Sequence, residues 1–293
     1  MGIQWTEICL NLPPNHQDAV IDFLIGLGSR GVILEGQRRP NQRLKFYFRS
    51  DEQVEEKIFA LSSYLGELGL ARRCRLNTRS LCDEDWNRFW QRHSISLQPI
   101  GRTLLIRAPW HEVPGEFSGR IAVSIEPSMA FGTGTHETTR HCLEFLESLM
   151  STRGAGASFL DVGCGSGILA LAASKLGARA VTAIDNDPVA LDNAKKNAAL
   201  NHVGGVRFLE CIPTNELFDL ASANIISGTL IALKGPLKAS VHEGGHLILS
   251  GILNDQAKEV MSAYEGGYRR IDVKSDEPWV TILLQRSSGR TAR

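Results

Sequence analysis

The sequence has few cysteines, no long hydrophobic run and no excess of either charge, and each shortage excludes a class of protein. Its six cysteines among 293 residues include no CxxC pair, which favours reduced thiols over a disulfide framework or a zinc site. No segment approaches the roughly 18 apolar residues of a membrane-spanning helix. The first residues lack the charged and then apolar pattern of a secretory signal. We therefore expect a cytoplasmic protein that is not in the membrane.

The charges are balanced, with 32 Lys and Arg residues against 32 Asp and Glu residues. A protein that binds nucleic acid over a broad surface needs a basic excess, so no direct nucleic-acid binding is expected. Hydrophobic residues make up 43% of the chain and charged residues 22%, which is ordinary for a globular protein. The length is sufficient for two domains.

The first 82 residues read as strand, helix, strand, strand, helix, strand. The strand-like segments are "IQWTEICLNL", "GVILEG", "RLKFYFRS" and "ARRCRLNTRSL", and amphipathic helices are predicted over about 15–27 and in "DEQVEEKIFALSSYLGEL". This order is typical of a small α+β ferredoxin-like domain. A linker follows over 83–98, where "DEDWNRFWQRH" predicts a short helix whose aromatic side chains pack on a neighbouring domain.

Residues 99–293 form the second predicted domain. Two strand-like segments, "GRTLLIRAPW" and "GRIAVSIEP", come first, and strands and helices alternate from Thr135 onward. Asp187 and Pro188 suit the N-cap and first turn of one helix. Alternation at this spacing implies right-handed crossovers and a mostly parallel, doubly wound sheet. The predicted fold is thus a Rossmann-like α/β domain preceded by the ferredoxin-like domain.

The stretch "FLDVGCGSGILALAASKLGARAVTAIDNDP" carries a ligand-binding pattern. Gly163, Gly165 and Gly167 follow a strand with GxGxG spacing, whereas a dinucleotide fingerprint would place its third glycine at Ile168. The dinucleotide motif directs a helix N-terminus at a pyrophosphate. The GxGxG turn instead favours a flat, uncharged nucleoside with an amino-acid tail, because glycine permits close backbone approach.

Two acids extend this pattern at the carboxyl ends of adjacent strands, where open α/β sheets bind ligands. Asp161 precedes the turn, and its carboxylate is placed to reach an ammonium group or to order the loop. Asp185 ends the next strand, where a carboxylate accepts from both hydroxyls of a ribose. S-adenosylmethionine fits these features. The alternative is a close helix–strand crossing in a sheet that binds nothing.

Four segments together resemble the PrmA family of bacterial enzymes, which methylate the eleventh protein of the large ribosomal subunit: "EPSMAFGTGTHETT", "DVGCGSGILALAASKLGA", "AIDNDPVALDNAKKNAALN" and "ANIISGTL". The resemblance spans about Asp83 to Gln285, and "MAFGTGTHETT" is its most specific part. Two departures stand out. The chain has "IISGTL" where the family usually has "ILAGPL", and Pro278 lies between the acid and Trp279. Both are expected to affect the acceptor pocket rather than a cofactor contact.

The resemblance implies a two-domain S-adenosylmethionine-dependent protein N-methyltransferase. Its acceptors would be lysine side-chain or N-terminal amines of that ribosomal protein, which the ferredoxin-like domain would dock. Separately, we expect a monomer. Carried over residue by residue, cofactor contacts fall on Thr139, Gly163, Asp185 and Asn224. Asn224 is also the predicted catalytic residue, orienting either the donor or the acceptor. Helix capping is the alternative role for this asparagine.

Gly165, Asp161 and Phe131 complete the predicted cofactor contacts, although a hydrophobic plug is an equal alternative for Phe131. His136 is interpreted as structural rather than as a base, and Cys164 as a packed thiol. No residues have metal-ligand spacing, so no metal is expected.

Three other functions stay open at this point. The acceptor lysines can belong to another protein, or the chain can bind an adenosyl nucleoside without catalysis. The third is a nicotinamide-dependent oxidoreductase, against which Ile168 and the lack of a catalytic dyad argue.

Overall fold

The computed structural model describes residues 4–13, 16–29, 32–35, 42–50, 52–70, 74, 76–82, 97–126, 136–153 and 156–287. The predicted linker helix and the predicted contact Phe131 lie outside these residues. The chain divides into two compact units, Met1–His93 and Ser94–Arg293. Each unit has a hydrophobic core of its own.

The first unit has the ferredoxin-like arrangement that its sequence predicts. Its elements are β1 (Gln4–Leu12), α1 (Gln17–Gly26), β2 (Val32–Glu35), β3 (Gln42–Arg49), α2 (Val54–Glu67) and β4 (Asn77–Cys82). The strands pair in the order β2-β3-β1-β4, and every pair is antiparallel. Ile8, Leu10 and Phe46 from the sheet pack with Leu61 and Leu65 of α2.

The second unit begins with a small sheet of β5 (Gln98–Ile100), β6 (Leu104–Arg107) and β7 (Ile121–Ser124). β5 is antiparallel to β6, and β6 is parallel to β7. The sequence predicts β6 and β7 but not β5. That strand has only three residues and contains Pro99, which confines it to a sheet edge.

The main sheet has seven strands in the order β10-β9-β8-β11-β12-β14-β13. They are β8 (Ser158–Val162), β9 (Ala180–Ile184), β10 (Val206–Leu209), β11 (Phe218–Asn224), β12 (Val241–Leu253), β13 (Tyr268–Asp276) and β14 (Trp279–Arg286). The pairs from β10 to β12 are parallel, whereas β14 is antiparallel to both neighbours. This confirms the Rossmann-like fold.

In the described part of this unit, six α-helices accompany these strands: α3 (Glu137–Arg153), α4 (Ile168–Lys175), α5 (Pro188–Leu200), α6 (Ser227–Ala232), α7 (Lys234–Ala239) and α8 (Ala257–Tyr264). The same residues include 3-10 turns at Gly115–Phe117 and Asn254–Gln256. Alternate residues of β8 enter different cores, with Phe159 packing in the core that includes α3 and α4, and Leu160 in the core that includes α6 and α8. Burial of both faces leaves the carboxyl ends of the strands as the place for a site.

The longest helix among the described residues, α3, has 17 residues. No helix in the described ranges is long and apolar enough to cross a membrane. Over those same ranges, no group of three or more His, Cys, Asp or Glu residues could hold a metal ion.

Candidate active site

The glycine turn after β8 has backbone angles that require glycine. The φ angles of Gly163, Gly165 and Gly167 are 72°, 53° and 80°, a left-handed region that residues with a Cβ rarely adopt. A Cβ on Gly163 would lie 2.3 Å from Ile225 Cγ2, and one on Gly167 would lie 3.0 Å from Ala194 Cβ. Gly163 therefore allows close approach to the end of β11, and Gly167 allows α4 to pack on α5.

Asp185 ties this turn to the loop after β9. Its Oδ2 accepts a hydrogen bond from the Gly165 amide at 2.9 Å, and its Oδ1 accepts from the Asp187 amide at 3.0 Å. Asp187 is the N-cap of α5, and its side chain accepts from the Val189 amide, as its sequence position predicts. Each Asp185 oxygen keeps lone-pair capacity for a further donor. The structure thus brings Asp185 and Gly165 together.

A cavity of about 670 Å³ runs from the ends of β8, β9, β10 and β11 along α6 and α7 to Ser240, directly before β12. Its volume is within the size range of small-molecule and cofactor sites. Gly163, Asp185 and Ile225 line it from predicted segments. Cys211 and Ile212, which follow β10, also line it and were missed at the sequence level. The loop that contains them has no recognisable sequence motif, because many residue types can form the apolar wall on which the flat base of a nucleoside packs.

Asp161 is almost completely buried, at 1% exposure. Its Oδ1 accepts from Ser222 Oγ at 2.9 Å, and its Oδ2 accepts from the Ala170 amide, in the first turn of α4, at 3.2 Å. Burial raises the pKa of this carboxyl to about 7, while the two hydrogen bonds act in the opposite direction. Asp161 therefore links β8 to β11 and to the first turn of α4. Both of its predicted roles, ordering the loop and contacting an ammonium group, stay predictions.

Asn224 ends β11 with one half of its side-chain amide unpaired. Its Nδ2 lies 3.4 Å from Thr139 Oγ1, whereas its Oδ1 is buried without a hydrogen-bond partner. The N-cap of α6 is Ile226, and no side chain caps that helix, so the alternative of helix capping by Asn224 is wrong. Leaving a buried carbonyl unpaired costs about 1–3 kcal/mol. A donor on a ligand would remove this cost.

Thr139 is held beside Asn224 by polar contacts between α3 and the sheet. Ser250 Oγ donates to the Thr138 carbonyl at 3.4 Å and lies 2.6 Å from Thr281 Oγ1. The buried ring of His141 bridges Thr281 Oγ1 at 3.3 Å and Asp276 Oδ2 at 3.2 Å. These contacts position the first turns of α3. They join residues that are far apart in the chain, so no local sequence motif predicts them.

His136 is the N-cap of α3. Its Nδ1 accepts from the Thr138 amide at 3.3 Å and lies 2.7 Å from Thr138 Oγ1. Its ring contacts the edge of Trp279 with centroids 5.0 Å apart. Burial lowers the pKa of His136, which favours the neutral ring that can accept a hydrogen bond. Its geometry is that of a structural residue.

Cys164, inside the glycine turn, is a buried free thiol. Burial is the main cause that raises its pKa, and the nearby carboxylates of Asp161 and Asp185 add to the effect. The thiolate form that a nucleophile needs is therefore disfavoured, in agreement with its interpretation as a packed thiol.

Comparison with known proteins matches nearly the whole chain to one protein family. A family model described as ribosomal protein L11 methyltransferase (PrmA) matches residues 4–287. The chain is 35% identical to the ribosomal protein L11 methyltransferase of Geobacter metallireducens, over 97% of this chain and 99% of that protein. It is 38% identical to that of Thiobacillus denitrificans, over 80% of this chain and 76% of that protein.

A solved structure agrees with these relatives. The crystal structure of a ribosomal protein L11 methylase from Lactobacillus delbrueckii subsp. bulgaricus matches with a TM-score of 0.59 at 30% identity, covering 66% of this chain and 100% of that chain. The family model also reaches across the first unit, where inspection of the sequence matched only the order of strands and helices.

Proposed function

This chain belongs to the PrmA family of ribosomal protein L11 methyltransferases, and we propose that it methylates amines of the L11 protein at lysine side chains, at the N-terminus or at both. It is a protein methyltransferase, and S-adenosylmethionine is its methyl donor. The observation that best supports an amine acceptor is the buried, unpaired Oδ1 of Asn224 beside the glycine turn. This oxygen can accept a hydrogen bond from an amine N–H.

The residues present fit the donor. A turn without side chains at Gly163 and Gly165 leaves room for a nucleoside against the backbone, and the Asp185 carboxylate lies in the wall of the cavity. We assign cofactor contacts to Thr139, Gly163, Gly165, Asp185, Asn224, Phe131 and Asp161. When bound, the sulfonium supplies an already activated methyl group.

Catalysis then depends on positioning and on the protonation state of the acceptor. An ammonium has no lone pair, so the acceptor must lose its proton before it attacks, and water can take that proton. Removal from bulk water favours the neutral amine. We assign Asn224 the role of orienting this amine through Oδ1, because alignment of the two reactants is the main contribution an enzyme makes to such a displacement.

We assign docking of the protein substrate to the first unit, which has its own sheet and core. The enzyme is proposed to act as a monomer. It is also proposed not to bind nucleic acid directly, since its formal net charge is zero. With a ribosomal protein as the proposed substrate, the enzyme is proposed to act in the cytoplasm.

The test is mass spectrometry of purified large ribosomal subunits, and separately of free L11, after incubation with the enzyme and labelled cofactor. We expect whole methyl increments on amines of L11. Asn224→Ala should transfer methyl groups about tenfold more slowly or worse, since loss of one orienting hydrogen bond removes roughly 1.5 kcal/mol. Label on another protein and none on L11 would contradict the proposed substrate.

A further inference from the structure

Ser227, the first residue of α6, carries a second unpaired polar atom close in sequence to Asn224. Its side chain is buried, at 6% exposure, and its Oγ has no hydrogen-bond partner. A buried hydroxyl without a partner lowers the stability of the fold. Asn224 Oδ1 and Ser227 Oγ are thus two unpaired hydrogen-bond acceptors within four residues, and a donor on a ligand would satisfy each of them.

The side chains of the turn between β11 and α6 differ in whether they line the cavity and in whether they are exposed to solvent. Ile225 lines the 670 Å³ cavity and faces Gly163. Neither Asn224 nor Ser227 is among the residues that line this cavity. Ile226, at 72% exposure, is an apolar side chain on the surface. The two unpaired polar atoms therefore belong to residues that do not line this cavity, and the same turn carries an exposed apolar side chain.

We propose that Ser227 Oγ and Asn224 Oδ1 together hold the acceptor amine, and that Ile226 contacts the aliphatic chain that carries it. This inference rests on the proposed function. A neutral primary amine has two N–H groups and one lone pair, so two hydrogen-bond acceptors can take the N–H groups and leave the lone pair free to attack. The ligand class is a primary amine on an aliphatic stem, as in a lysine side chain.

The family pattern indicates how strongly loss of the Ser227 hydroxyl should affect methyl transfer. The family usually has alanine at the position of Ser227, within "ILAGPL". We therefore expect an alanine at this position to preserve the fold and the reaction to proceed without the hydroxyl. Its loss should weaken acceptor binding and alignment without abolishing transfer.

The test compares Ser227→Ala with wild type in three measurements: thermal unfolding, calorimetric binding of S-adenosylmethionine, and steady-state methylation of L11. We expect a midpoint of unfolding equal to or above that of wild type, because an unpaired hydroxyl is removed. Cofactor affinity should stay within about twofold, and kcat/KM for L11 should fall about three- to tenfold, as expected for one net hydrogen bond.

Ser158→Ala is the matched control. Ser158 is also a buried serine, but its Oγ donates to Asp219 Oδ2 at 2.8 Å and it begins β8, at the opposite end of the strands from the site. This variant should lower the unfolding midpoint and leave kcat/KM unchanged.

Three outcomes would overturn the assignment of Ser227. They are an unchanged kcat/KM, a parallel loss of cofactor affinity, and a loss of stability as large as that of the control. Failure of wild type to methylate L11 would instead contradict the proposed function, so the two failures are distinguishable.

Discussion

Asp185 holds the glycine turn and lines the cavity at the same time. Its two oxygens accept from the amides of Gly165 and Asp187, so the carboxylate is already oriented before any ligand arrives. A preoriented group loses little conformational entropy on binding. At the scale of single residues, this makes Asp185 the strongest candidate for holding the ribose.

We predict that Asp185→Ala weakens cofactor binding by about one to two orders of magnitude, because charge-assisted hydrogen bonds to the ribose are lost. Calorimetry with S-adenosylmethionine measures this change. Asp192→Ala is the control, since Asp192 is an exposed residue of α5 whose carboxylate lies 3.7 Å from Lys195. Equal affinities for both variants and wild type would show that the ribose is held elsewhere.

At the scale of elements, the N-terminus of α3 is the part whose position matters most for the site. Thr139 lies in its first turn beside Asn224, and His136 caps the same turn through a ring nitrogen that must be unprotonated to accept. Burial lowers the pKa of His136 below the ordinary histidine value of about 6.5. The stability that this neutral cap contributes is therefore complete above about pH 6.5, and it is lost as the pH falls from that value through the lower pKa of the folded state.

We predict that wild type loses stability relative to His136→Asn as the pH falls from about 7.5 to about 5.5. Asparagine caps helices well and does not titrate, whereas folding suppresses protonation of histidine that the unfolded chain allows. Urea unfolding of both proteins at several pH values gives the difference in free energy of unfolding. A difference that stays constant across this range would contradict a neutral capping ring.

At the scale of the whole molecule, the two units have separate cores and separate sheets. Every residue that lines the cavity belongs to the second unit. Cofactor binding is therefore expected to be a property of the second unit, while the first contributes to recognition of the protein substrate.

We predict that deletion of residues 1–82 leaves cofactor affinity within about twofold and lowers methylation of L11 by about two orders of magnitude or more, since a tethered docking module raises the effective concentration of its target to that extent. Calorimetry and a labelled-methyl assay measure the two quantities. Intact cofactor binding with full activity on L11 would exclude a docking role for the first unit.

Much of the fold could be predicted because its signals are local. Hydrophobic periodicity indicated most strands and helices, and Asp187 with Pro188 marked the start of α5. β5 was missed because a three-residue strand has no period to detect, and its place depends on pairing with β6. For the site, the glycine turn and Asp185 were predicted, because backbone angles and strand ends depend on neighbouring residues.

The order of elements, the ligand-binding turn and the family resemblance can be read from the amino-acid sequence alone. Which buried polar atoms are paired and which are not depends on how the whole chain folds. Asp161 meets Ser222 across 61 residues, and Asn224 meets Thr139 across 85, while Asn224 Oδ1 and Ser227 Oγ meet no partner. Such pairing depends on sheet order, register and helix placement, and these follow from packing of the whole core rather than from the preferences of any single segment.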